Sequence, residues 1–220
     1  MGPPPARGKR LVVKLAVALV IVTGLAFLFM YTVRGSRAQP YTIDGQLLRN
    51  WTVAFKPPAR PGDAVLVLRP PPELARGLFS QVFARAMESL YAPTAEVPLL
   101  LQAELGAAGT DRLTPEALAA AARSAGMDGL TPVCLGYRRV GGVGAPRVPR
   151  QLYFVLFDAT VFDRFRNQLA ALLGSENATP FDPGALSPVL LIGASDTAFE
   201  QWMPLRADPR KDCLAPITVR

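Results

Sequence analysis

The feature that most constrains this chain is an uncharged apolar run over residues 15–33, LAVALVIVTGLAFLFMYTV. An α-helix of that length rises about 28 Å, which matches the hydrocarbon thickness of a bilayer. The run therefore predicts a transmembrane helix near the N-terminus. We expect a tail over residues 1–10, an anchor over 11–33, a tether over 34–50 and a folded domain over 51–220.

The charges beside the run predict its orientation. Four basic residues precede it and two follow it: Arg7, Lys9, Arg10 and Lys14, then Arg34 and Arg37. Because cations are retained on the cytoplasmic side, the N-terminus is expected to be cytoplasmic. Lysine is rare after the run, at Lys56 and Lys211 only, and this arginine-rich usage favours a bacterial source. We therefore expect one pass of the cell inner membrane and a periplasmic domain.

A cleaved signal peptide is the competing interpretation of the same run. Its apolar core is usually about 7–15 residues long and ends at a small-x-small cleavage site. Here the run is longer, Arg34 follows it directly, and the best site, Ser36-Arg37-Ala38, has arginine in the middle. The flanks favour an uncleaved anchor, and a mature protein that begins at Gln39 would contradict it.

The net charge of +7 does not indicate nucleic-acid binding. Six of the 24 Lys and Arg residues flank the apolar run, and the remaining 18 nearly balance the 17 Asp and Glu residues. A near-neutral domain lacks the positive field that phosphate binding requires. The basicity is a topology signal, and no nucleic-acid partner is expected.

The two cysteines, Cys134 and Cys213, both follow the apolar run. In an oxidising compartment the expected state is a disulfide between them. The alternative is two buried free thiols, since unpaired cysteine is among the most buried residue types.

The pattern after residue 50 predicts an α+β domain with a mixed sheet, a ferredoxin-like arrangement being one version. Apolar runs bounded by Pro and Gly predict the strands, and helical periodicity predicts three longer helices and a short last one. The strands are expected over 51–55, 64–69, 97–104, 131–140, 150–158 and 189–192, and the helices over 72–90, 115–125, 160–173 and 195–203. Residues 141–149 join two strands as a hairpin loop, and residues 153–157, apolar throughout, are typical of a strand covered on both faces.

Most catalytic classes lack their residues in this chain. It has no histidine, which removes Ser-His-Asp and Cys-His systems and the usual zinc sites. Ser195 follows Gly193, but Thr197 stands where a Gly-x-Ser-x-Gly motif needs glycine. No phosphate-binding glycine loop lies between a strand and a helix. The sequence therefore predicts neither a metal site nor a cofactor.

Carboxylate chemistry stays open, with Asp158 and Asp196 as the candidate catalytic pair because each follows an apolar strand. Residues 160–165, TVFDRF, resemble residues 197–202, TAFEQW. This echo indicates either a duplicated unit with two acids in one cleft or two independently capped helices, and capping explains it more simply.

Arginines around the hairpin, Arg138, Arg139 and Arg150, are candidates for binding an acidic partner or lipid headgroups. The alternative is a solvated strand edge that discourages aggregation.

These observations favour a membrane-anchored extracytoplasmic binding or accessory protein, an assembly or structural component of an envelope complex. Its expected partners are the bilayer, through the N-terminal helix, and another membrane or envelope protein. The alternative is a membrane-tethered hydrolase or transferase that uses Asp158 and Asp196. For that alternative the two carboxylates must converge in one pocket.

Overall fold

A computed structural model describes residues 7–56, 63–86, 88–105, 113–140, 150–173, 181–197 and 206–220. The chain forms two compact units, Met1–Gln39 and Pro40–Arg220. The hairpin loop 141–149, most of the predicted helix 195–203 and most of the second half of the sequence echo lie outside the described residues.

The first unit contains one long helix, α1 (Arg7–Arg37). Its segment Lys14–Thr32 is apolar and long enough to cross a membrane. Apolar side chains are exposed all around this segment, Phe27 by 74%. The hydroxyls of Thr23 and Thr32 donate to the carbonyls of Leu19 and Phe29, so their donors are satisfied within the helix. This is the one N-terminal apolar helix that the sequence predicts.

The second unit is an α+β domain. Its strands are β1 (Tyr41–Ile43), β2 (Thr52–Phe55), β3 (Ala64–Arg69), β4 (Val97–Leu101), β5 (Pro132–Val140), β6 (Arg150–Phe157), β7 (Val189–Ala194) and β8 (Cys213–Val219). Its helices are α2 (Pro72–Arg85), α3 (Gln102–Leu105), α4 (Pro115–Ala125), α5 (Ala159–Leu173) and α6 (Pro209–Asp212). Two 3-10 turns cover Gly45–Leu48 and Pro183–Ala185.

Local sequence explains where the helices begin and end. Pro72 opens α2 at a position whose missing N–H costs nothing. The Thr114 hydroxyl accepts a hydrogen bond from the Ala117 amide and caps α4, and Gly126 ends α4 with a positive φ of 79°. Helix α2 stops at Arg85, earlier than predicted, because Ala86 is extended.

The larger sheet has five strands in the order β1-β8-β5-β6-β7. It is mixed, as predicted: β1 pairs parallel with β8, and the other neighbours pair antiparallel. Because α2 packs against both terminal strands, β1 and β7, the sheet curls around this helix. A second, antiparallel sheet has the order β2-β3-β4.

The core explains the apolar sequence of β6. Tyr153, Val155 and Phe157 face the main core, which includes α2, α4 and α5. Leu152, Phe154 and Leu156 face a smaller cluster on the opposite side of the sheet. The prediction that both faces of this strand are covered is confirmed.

Three features differ from the sequence-based expectations. Residues 41–48, expected in the tether, form β1 and a 3-10 turn, because Tyr41 and Ile43 are buried. Residues 213–219, where little periodicity was visible, form β8 with Pro216 inside it. The ferredoxin-like version is not confirmed: β3 and β4, and likewise β6 and β7, pair directly and antiparallel across the helix that connects them.

Candidate functional site

Asp158, the first predicted catalytic residue, caps a helix. Its Oδ1 accepts a hydrogen bond of 2.9 Å from the Thr160 amide at the start of α5. The hydrogen bonds from the Thr160 side chain and backbone lower the pKa of Asp158. The carboxylate is exposed to solvent. It is therefore held ionised by the start of its own helix.

Asp196, the second predicted catalytic residue, lies at the opposite end of β6. Its Oδ2 is 2.7 Å from Nε of Arg150, the first residue of that strand, whereas Asp158 follows the last. Eight strand residues at about 3.3 Å each separate the two carboxylates by more than about 20 Å. The convergence of Asp158 and Asp196 in one pocket, which the hydrolase or transferase alternative requires, does not occur.

Arg138, a predicted binding residue, is engaged within the domain. Its Nε and Nη2 donate to the two carboxylate oxygens of Asp212, at 3.1 and 2.5 Å, and Nη2 also donates to the Arg206 carbonyl. Burial disfavours the Asp212 carboxylate, but Arg138, the Asp208 amide and Lys211 outweigh it, so the pKa of Asp212 is lowered. Arg138 therefore fastens β5 to α6.

Of the other two predicted binding residues, Arg150 shares a face of the hairpin with Arg138, and Arg139 does not. Arg150 pairs with Asp196, and strand alternation places Arg150 and Arg138 on the face of the smaller cluster. Arg139 is opposite Gln151 in the ladder and belongs to the other face. The arginine cluster expected from sequence is thus divided between two sides of the hairpin.

The cysteines are paired, as the sequence predicts. Cys134 and Cys213 form a disulfide with their Cα atoms 5.7 Å apart. Cys134 is buried, whereas Cys213 is exposed. The bond joins β5 to the first residue of β8, directly beside the Arg138–Asp212 pair.

A polar network that sequence reasoning missed centres on Glu88, in the segment after α2. Its two carboxylate oxygens accept hydrogen bonds from the Tyr153 hydroxyl, at 3.0 Å, and from the Gln151 amide. The Tyr137 hydroxyl donates to Gln151 at 2.6 Å. These bonds hold the segment that leads from α2 to Tyr91 against the end of β6.

Arg166 of α5 is fully buried and is also a structural residue. Its guanidinium donates to Glu104 and to three backbone carbonyls, those of Leu99, Asp182 and Pro183. All five of its N–H donors are therefore used, since Glu104 accepts two of them. The sequence suggested only a polar position on a helix, because the partners come from distant segments.

A further candidate site is a groove of about 360 Å³ between α2 and the segment after Tyr91. Its floor is β7, through Leu191 and Ile192, and Phe79 forms part of one wall. The remaining lining residues are Pro72, Ala75, Arg76, Ser80, Ala92, Pro93 and Ala95. Apart from Arg76 and Ser80 this lining is apolar, so the groove fits apolar groups better than charged ones.

Exposed aromatic rings border the same groove. Phe83, which is 53% exposed, stacks on Phe79 with ring centroids 5.8 Å apart. Tyr91, which is 50% exposed, precedes the lining residue Ala92. Exposed apolar surface beside an apolar depression is typical of a protein interaction site.

No group of three or more Asp, Glu or Cys residues that could hold a metal ion occurs in the described part of the chain. Comparison with known proteins finds no matching family model, no matching curated protein and no matching solved structure.

Proposed function

We propose that this chain is a single-pass protein of the cell inner membrane, with α1 as an uncleaved anchor. The length and apolar exposure of Lys14–Thr32 support a span, and the excess of basic residues before it supports a cytoplasmic N-terminus. The Cys134–Cys213 disulfide supports a periplasmic domain, because disulfides persist in oxidising compartments.

The domain acts by binding, as an accessory or assembly component of an envelope complex. The groove beneath Phe79, with Phe83 and Tyr91 at its border, carries this proposal. Its occupant is an apolar side chain of another envelope protein. The charged residues that the sequence suggested for chemistry or anion binding, such as Arg138 and Asp196, support the fold instead through their ion pairs.

The hydrolase or transferase alternative has no observation in its favour. Asp158 and Asp196 lie at opposite ends of β6, too far apart to act on one bond.

Membrane fractionation tests the anchor. The full chain is expected to stay in the pellet after alkaline carbonate extraction, and residues 40–220 are expected to be accessible to protease from the periplasmic side only. A mature protein that begins at Gln39, or release by carbonate, would contradict the anchor.

Complex size after mild detergent extraction tests the binding role. The native chain is expected to migrate in an assembly larger than its own micelle, and Ala92→Glu in the groove is expected to release it. Ala171→Glu is the matched control, because Ala171 is also an exposed alanine but lies on α5, outside the groove. Equal effects of the two substitutions, or no assembly at all, would contradict the proposal.

A further inference from the structure

β1, the first strand after the anchor helix, has β8 as its strand partner. β1 begins two residues after Gln39, and its strand partner is β8, through Tyr41–Ile217, Thr42–Thr218 and Ile43–Val219. Two further backbone bonds continue this pairing, from the Arg220 amide to the Ile43 carbonyl and from the Gly45 amide to the Arg220 carbonyl. β8 is therefore the strand that pairs with β1, and the Gln81 side chain of α2 adds two hydrogen bonds to Thr42.

β8 divides its own pairing between two neighbours. Its first half pairs with β5, where Cys213 is opposite Gly136 and Pro216 is opposite Cys134. Its second half, residues 217–219, pairs with β1. The attachment of β8 to the rest of the sheet is thus confined to a few residues next to Cys213.

Two strong contacts reinforce that short attachment. One is the disulfide from Cys213 to Cys134 of β5, and the other is the two-bond ion pair from Asp212 to Arg138 of the same strand. A series of strand pairings therefore leads from β1 through β8 to the core strand β5. The disulfide is the covalent link across that path.

We propose that the Cys134–Cys213 disulfide is a redox latch. When it is oxidised, β8 and β1 are held on the sheet. When it is reduced, these two strands detach, while β5, β6 and β7 stay folded around the main core. The connection between the anchor and the domain then becomes longer and looser.

Thiol–disulfide exchange with a dithiol reductant supplies the chemistry. A thiolate of the reductant attacks Sγ of the exposed Cys213, the Cys134–Cys213 bond breaks, the Cys134 thiolate leaves, and Cys213 remains in a mixed disulfide with the reductant. The second thiol of the reductant then releases Cys213. Two electrons pass to the protein, the two protons of the dithiol go to Cys134 and Cys213, and the reductant becomes a cyclic disulfide.

The persistence of the core on reduction follows from burial. β6 lies between β5 and β7 and is buried on both faces, so its amides open only with the whole domain. β1 is three residues long and terminal in the sheet. Reduction of the disulfide is therefore expected to detach this edge of the sheet before any other part of the domain opens.

Amide hydrogen exchange on the full chain in detergent micelles, with and without dithiothreitol, tests the latch. Reduction is expected to speed exchange about tenfold or more in residues 41–45 and 213–219. Residues 152–157, which open only with the whole domain, are expected to remain slower than those two segments by at least about tenfold. A Cys134→Ser/Cys213→Ser double variant is expected to match the reduced protein and to ignore the reductant. Unchanged exchange at β1 and β8, or exchange in β6 that is as fast as at β1 and β8 after reduction, would overturn the proposal.

Arg138→Gln separates the disulfide from the neighbouring ion pair. In the oxidised protein this variant is expected to change exchange at β8 by less than about threefold, because the disulfide still holds the strand. After reduction it is expected to exchange faster than the reduced native chain. If Arg138→Gln alone opens the edge as far as reduction does, the ion pair is the latch and the disulfide is not.

Discussion

Helix α2 contacts both edges of the five-stranded sheet, but it makes hydrogen bonds to one edge and lines an apolar groove at the other. At the β1 edge, the Gln81 side-chain amide of α2 accepts from the Thr42 amide and donates to the Thr42 carbonyl, at 2.9 and 2.8 Å. At the β7 edge, Phe79 of α2 lines a groove. Among the described residues, the outer side of β7 has one backbone pairing, the isolated bridge between Tyr91 and Ala194. One edge is closed by α2, and the other, as far as the described residues go, is left partly open.

The difference shows how one sheet can be stabilised at its β1 edge and still offer a binding surface at its β7 edge. An open strand edge invites aggregation, so the chain covers β1 with a side chain that imitates a neighbouring strand. Arg85 adds to this cover, with its guanidinium 4.1 Å from the centre of the Tyr41 ring. The β7 edge is recessed, since Leu191 and Ile192 are almost fully buried, and the groove admits a side chain more readily than a second sheet.

Removal of the disulfide is expected to have the largest effect on stability. The bond closes a loop of 79 residues, for which chain entropy corresponds to about 4 kcal/mol. The Cys134→Ser/Cys213→Ser variant should therefore lose about that much free energy of unfolding in urea, followed by tryptophan fluorescence of the full chain in micelles. A loss below about 1 kcal/mol would show that this edge does not need its covalent link.

Two glycine substitutions compare how tightly the chain is packed beside β8 and beside the β7 groove. A Cβ at Gly136, opposite Cys213, would collide with the Phe154 ring, so Gly136→Ala should destabilise by about 1–3 kcal/mol. A Cβ at Gly193 would be 3.4 Å from Leu90 and 3.7 Å from Phe79, which is ordinary contact. Gly193→Ala should therefore be close to neutral in the same urea experiment, and equal losses would remove the contrast.

Gln81→Leu is expected to weaken the closed edge. It leaves the Thr42 amide and carbonyl without this partner, which corresponds to about 1–3 kcal/mol. Gln81→Glu, which still accepts from the amide, should lose less. Hydrogen exchange at residues 41–45 measures the effect, and an unchanged rate in both variants would mean that β8 alone holds β1.

Acid is expected to loosen the same edge through Asp212. Burial opposes its ionisation, yet Arg138 and the other partners lower its pKa below the unfolded value of about 3.9. Its stabilising contribution is therefore complete above that value and is lost as the pH falls through the folded pKa. Exchange at residues 213–219 should rise in this window, and Arg138→Gln should reduce the dependence.

The smallest effects are expected at Asp158, which lies outside both the groove lining and the β1–β8 pairing. Asp158→Ala removes a helix cap and should cost about 1 kcal/mol, whereas Asp158→Asn keeps a capping oxygen and should cost much less. Neither substitution should change the size of the extracted assembly. If Asp158→Asn abolished a measurable turnover, the carboxylate alternative would regain support.

Sequence patterns predicted the parts of the fold that depend on local rules. The apolar run 153–157 indicated a strand covered on both faces, and Thr114, Pro115 and Gly126 marked the ends of α4. β8 was missed because Pro216 interrupts its pattern, although the exposed position of this residue tolerates it.

The candidate site depends on contacts that no local pattern contains. Gln81 meets Thr42 from 39 residues away, and Arg138 meets Asp212 from 74 residues away. The groove combines α2, the segment after Tyr91 and β7, which are distant in sequence. Sequence alone therefore suggested Arg138 and Arg150 as binding residues, whereas the fold uses their charges internally.

Site-specific photocrosslinking in cells tests the central claim, that the domain binds an envelope protein at the β7 groove. A photoreactive phenylalanine analogue is placed at Ala92 in one chain and at Ala171 in another, and the adducts are resolved by mass. The account predicts one discrete adduct with a different membrane or envelope protein from position 92 and none from position 171. No adduct from position 92, an adduct of twice the chain's own mass, or the same adduct from both positions would contradict it.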